Sequence, residues 1–138
     1  MQHFSVKFFT LLAVLFVFGM SSASAGNSVK ITEPPNGAVV SSPVKVCFKT
    51  HGVEVEPSKK GTNEGKGHHH ILVDVDLPKD LSKPVGKDAH HIHMGDGSTC
   101  KEIKLDAGKH SIRALFARGG THVPYDPAIT DEVHVTVK

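Results

Sequence analysis

Eleven histidines stand in a chain of 138 residues, and their spacing is where chemistry is to be sought. Three are consecutive, His68-His69-His70, and run straight into Ile71-Leu72-Val73-Asp74; a doublet, His91-Ile92-His93, follows. The β-rich flank of the triplet reads as a strand, in which successive side chains alternate between faces. His68, His70, Leu72 and Asp74 then share one face, and His69, Ile71 and Val73 the other. The triplet therefore does not act as one unit. His68 and His70 form a His-x-His chelate on a rigid element, and neutral imidazole is the commonest metal ligand. His91 and His93 repeat that spacing downstream. The expected ligands are His68, His70, His91 and His93, with His110 and His122 as second choices. Asp74 is expected either to bind directly or to fix the tautomer of an imidazole. Imidazoles without thiolates suit Cu(II), Zn(II) or Ni(II), and Met94 adds a soft donor that favours Cu(I). Copper or zinc is the cofactor this pattern suggests. His51 and His134 are isolated and expected to be solvated.

Catalysis has weaker support. The chain has no Gly-x-Ser-x-Gly elbow and no His-Glu-x-x-His pair, and a cystine would leave no thiol nucleophile. Metal binding or handling is expected ahead of an enzyme. Two further readings stay open. A three-histidine centre with a vacant position could activate water as a hydrolase or oxidase. Alternatively, a metal-free structural or protein-interaction domain could use its histidines for hydrogen bonding or acid sensing. Metal stoichiometry separates these.

The elements that must position the histidines follow a leader. Lys7, an apolar run over 8–20 and Ala23-Ser24-Ala25 read as a cleaved signal peptide over 1–25, with the mature chain starting at Gly26. The apolar run is short for a bilayer span, although a retained N-terminal anchor is the competing reading. A periplasmic or secreted protein is expected, with no membrane insertion of the mature chain. Of seven Phe, the leader takes Phe4, Phe8, Phe9, Phe16 and Phe18, so the mature core must be built of Val, Ile and Leu. The charge, +2 overall, is close to neutral once Lys7 is removed, which is no nucleic-acid signature. The expected partners are the metal ion and, secondly, another exported protein.

An exported chain with two cysteines is expected to hold one disulfide, Cys47 to Cys100, between neighbouring strands. In 44–49 the residues Val44, Val46 and Phe48 alternate inward and leave Cys47 outward; in 99–105 Ile103 and Leu105 point inward and leave Cys100 outward. Free metal-binding thiols are the alternative. From residue 28 onward short alternating runs are broken by Gly and Pro, with no helical period. Strands are expected at 29–32, 39–50 with an interruption at Pro43, 53–55, 67–76, 99–105, 109–117 and 132–138. A polar loop over 58–67 and a long irregular connection over 77–97 separate them, and 99–105 and 109–117 read as a hairpin-like pair. In the closing strand Val133, Val135 and Val137 point in and His134 out. The sum is a single all-β domain over 26–138, an immunoglobulin-like antiparallel β-sandwich, with a jelly-roll-like sandwich as the alternative.

Several motifs together, Gly67-His68-His69-His70-Ile71-Leu72-Val73-Asp74, His91-Ile92-His93-Met94-Gly95-Asp96-Gly97-Ser98-Thr99 and Gly108-Lys109-His110-Ser111-Ile112, resemble the bacterial domain family DUF4399. The resemblance extends to Ile31-Thr32-Glu33-Pro34-Pro35-Asn36-Gly37 and to the His-x-Pro segment at His122-Val123-Pro124. It implies an exported domain of no established function. The chain departs from the pattern at Cys47 and Cys100, and at Tyr125, where the family usually carries a second His. The opening strand and turn also resemble those of exported copper-binding sandwiches of the copper-resistance type, an analogy of fold only.

Overall fold

Alternating Val and Ile with polar residues between them suits half-buried strands, and strands are what the chain forms. The computed structural model describes residues 26–138, so the expected leader lies outside the described residues. The strands are β1 (Ser28–Glu33), β2 (Val39–Val40), β3 (Val44–His51), β4 (Glu54–Val55), β5 (Lys66–Val73), β6 (His91–His93), β7 (Cys100–Ile103), β8 (Gly108–Ala117) and β9 (Thr130–Val137). One turn of 3-10 helix, Ser58–Lys60, lies in the expected polar loop. The strands build a β-sandwich from a three-stranded sheet, β1-β3-β7, and a six-stranded sheet, β2-β9-β8-β5-β4, with β6 also on β5. Pairing is antiparallel except for the two-residue strands, β2 beside β9 and β4 beside β5, which run parallel.

Three sequence expectations are refined or changed. The run over 39–50 breaks at Pro43 as expected, since Pro has no N–H to continue a ladder, and its two parts lie in different sheets: Val39 and Val40 join β9 while β3 crosses to the other sheet. The expected hairpin of 99–105 with 109–117 does not form. The short turn between them carries the chain across the sandwich, so β7 pairs with β3 and β8 with β5 and β9. Ile103 and Ile112 thus face one core from opposite sheets. The long connection is also not wholly irregular, because β6 pairs antiparallel with β5, setting His93 opposite His70 and His91 opposite Leu72.

The core between the sheets includes Val29, Ile31, Val46 and Phe48 from one side and Ile71, Val73, Phe116, Val133 and Val135 from the other. A smaller cluster lies on the outer face of the six-stranded sheet, where Leu72, Leu115 and Ala117 meet Val85 and, more loosely, Leu77 and Ala128. The chain after β5 folds back over that face and makes a second buried layer. The disulfide Cys47–Cys100 joins directly opposite residues of β3 and β7. Cys100 is exposed as expected, but Cys47, flanked by Glu33 on one side and Cys100 on the other, is buried. Among the described residues no helix is long and apolar enough to cross a membrane.

Candidate metal centre

Strand alternation places His68 and His70 on the outer face of β5, opposite Ala117 and Leu115 of β8. His93 reaches the same face because β6 sets it directly across from His70. The fourth member, His122, comes from the loop after β8 with a positive φ of 57°, a conformation uncommon outside Gly, Asn, Asp and His. Two backbone hydrogen bonds hold it there: its N–H donates to Arg118 O (3.0 Å) and its O accepts from Val85 N–H (2.9 Å). The result is a group in which one nitrogen from each of His68, His70, His93 and His122 lies within 4.8 Å of the others.

Three contacts converge on one atom. His68 Nε2 is 2.9 Å from His70 Nε2, 3.1 Å from His93 Nε2 and 3.2 Å from His122 Nδ1. An imidazole nitrogen carries either one proton or one lone pair, so it can complete one of those three hydrogen bonds. Nδ1 of both His68 and His70 is buried with no partner. Burial, and then the neighbouring rings, hold the pKa of His68 down to about 4, and the same causes take His70 lower still. Burial and His122 also lower His93. His68, His70 and His93 are therefore all held toward the neutral form, the protonation state in which imidazoles ligate.

Gly95 is part of the site although no reading of the histidine pattern singles it out. A Cβ there would overlap Cε1 and Nε2 of His93, so the ring occupies space that only glycine leaves free. The peptide is fixed by Ser58, whose N–H (2.8 Å) and Oγ (3.1 Å) both donate to Gly95 O. The Gly-Asp-Gly run was the available signal, and it reads equally well as an ordinary turn.

The other histidines of the pattern lie elsewhere. His91 Nδ1–H donates to Asp88 (2.8 Å), whose same carboxylate oxygen accepts the N–H groups of His90 and His91. His110 donates from Nδ1 to Asp74 (2.7 Å) and from Nε2 to Asp106 O (2.8 Å), which raises its pKa and marks an imidazolium. Asp74, at φ 57° just past β5, turns away from His70. Burial raises its pKa, but His110 and the N–H of Ser111 outweigh that and hold it low. Asp74 and His110 thus form a structural clasp. Met94 is buried in the core between the sheets, with its N–H on His69 O, so its sulfur belongs to the packing and is no ligand.

A half-buried four-imidazole group on the outer face of a small β-sandwich defines a candidate metal-binding domain. Residues 46–138 match the model of DUF4399, a domain of unknown function, and the chain belongs to that family. Comparison with curated proteins gives no match. Among solved structures, the chain is similar to an endo-beta-1,4-mannanase from Thermotoga petrophila (14% identity over 86% of this chain and 21% of that one, TM-score 0.48). It is also similar to the fibronectin(III)-like modules of Clostridium thermocellum CbhA (18% identity over 80% of this chain and 96% of that one, TM-score 0.45). The chain thus spans about a fifth of the mannanase's length. At these identities neither likeness speaks to function.

Proposed function

We propose that the chain is an exported metal-binding sandwich that holds one transition-metal ion, copper or zinc, on His68, His70, His93 and His122 and serves in metal handling. The observation that carries this reading is the convergence of four nitrogens within 4.8 Å. Separations of 2.9 to 3.2 Å around His68 are close to the roughly 3.3 Å edge of a tetrahedron with metal–nitrogen bonds of about 2.05 Å. As neutral rings alone, three nitrogens face the single proton or lone pair of His68 Nε2, which can pair with only one of them, and unpaired buried polar atoms cost free energy. A cation supplies every lone pair with a partner. With Met94 in the core, the donor set is all imidazole and suits Cu(II) or Zn(II) ahead of Cu(I). Export is supported by the leader pattern of residues 1–25 and by the cystine, since disulfides persist in oxidising compartments.

Metal analysis of the mature protein after dialysis, with calorimetric titration of Cu(II), Zn(II) and Ni(II), tests the proposal. About one tightly held ion per chain is expected, and its loss in a His70→Ala/His93→Ala variant that keeps its β-sheet circular dichroism. Weak uptake at many sites, unchanged in that variant, would leave the histidines a structural role instead. N-terminal sequencing of the native protein is expected to begin at Gly26. An intact Met1 on membrane-bound material would show that the apolar run is an anchor.

A further inference from the structure

One side of the four-histidine group is closed by the sheet, where His68 and His70 are buried. The other side opens into a pocket of about 240 Å³ lined by His70, Val85, Lys87, His93 and His122. Three of these are proposed ligands, Val85 is an apolar wall, and Lys87 is an exposed ammonium on the overlying connection. The charge balance of such a site is one-sided. All four imidazoles are neutral ligands and the group contains no carboxylate, so a divalent ion there keeps its full charge in a partly desolvated setting. A charge so placed is costly unless it is paired. Besides burial and His122, Lys87 and Lys101 act on His93 as cations, and Asp96 alone opposes them. Both the ion and the pocket wall therefore call for negative charge, and the opening is where it can enter.

We infer that this pocket takes a small anion of carboxylate size, which binds the metal ion as an added ligand and pairs with the ammonium of Lys87. The inference rests on the metal-site reading above. An anion in this place removes the charge excess that four neutral ligands leave. The pocket holds several water volumes, enough for acetate or the carboxylate end of a larger substrate. Val85 bounds the position and Lys87 selects its charge.

The test uses the mature protein loaded with Cu(II) and titrated with sodium azide, followed by the ligand-to-metal charge-transfer absorption. A single saturable band is expected, absent from the metal-free protein and displaced by acetate. Lys87→Gln is expected to weaken azide about tenfold while calorimetric Cu(II) affinity stays as in the parent, and Lys87→Arg to restore most of the loss. The exposed position of Lys87 makes misfolding of either variant a minor concern, checked by circular dichroism. No azide band on copper-loaded protein, or equal azide affinity in Lys87→Gln, would overturn the inference with the metal site standing. Failure of acetate to compete would overturn the carboxylate assignment. Absence of tight Cu(II) uptake, read before azide is added, would overturn the metal reading and this inference with it.

Discussion

His69 lies between Phe48 and Phe116, with ring centroids at 4.6 and 5.3 Å, and neither of its nitrogens has a partner. Burial holds its pKa down to about 4. A buried polar group left unpaired costs about 1–3 kcal/mol, so His69→Phe, nearly the same shape, is expected to raise stability by about 1–2 kcal/mol in urea denaturation without changing metal uptake. The same residue contributes to the pH response of the metal-free protein, together with His68, His70 and His93. His68 and His69 titrate near 4 when folded and from 6.5 when unfolded. Below 6.5 the unfolded chain takes up protons that the folded chain refuses, so stability is whole above 6.5 and falls through the window down to about 4, with His70 carrying the fall lower still. His110 has the opposite sign: its raised pKa gives a contribution whole below 6.5 and lost as pH rises through the folded value. Urea midpoints of metal-free protein across this range check both, and the acid-side decline is expected to be shallower in His69→Phe. At Gly95, a methyl group competes with the ring of His93, so Gly95→Ala is expected to weaken metal binding at least tenfold with little loss of fold, read by calorimetry.

At the scale of elements, β5 carries the site because a period of two splits its histidines, His68 and His70 to the outer face and His69 to the core. That division was legible in the sequence, as were the inward Val of β9 and the cystine between neighbouring strands. The partners of β5 were not. β6 is three residues long and pairs across a long connection, and so short a ladder has no periodicity to read. His91 and His93 looked equivalent as a doublet, yet one carboxylate, Asp88, holds His91 while Gly95 makes room for His93. His122 depends on a single left-handed backbone position held by two hydrogen bonds, which composition does not reveal. The distinction is measurable. His91→Ala is expected to leave metal affinity within about twofold, and His122→Ala to weaken it by at least about tenfold. Equal losses in the two variants would mean that the doublet binds as a unit and that β6 is in a different register.

Over the whole molecule, the cystine and the proposed site sit on different sheets. Cys47 and Cys100, 53 residues apart, tie β3 to β7, and a closed loop of that length contributes up to about 4 kcal/mol by limiting the unfolded chain. Cys100→Ser is expected to lose up to about that much in urea denaturation while still folding and binding one ion. Failure of that variant to bind metal would show that the three-stranded sheet supports the site directly. The cystine loop has another property that comes from its place in the sequence. It encloses the 3-10 turn, β4, β5, β6 and the exposed stretch around Lys79, Ser82 and Lys83, where a protease would first find the backbone. A chain nicked anywhere between residues 48 and 99 remains one covalent molecule that still carries His68, His70, His93 and His122. It would run as two fragments on a reducing gel and as one band without reductant, so cleavage there would leave all four histidines of the proposed site in a single covalent molecule.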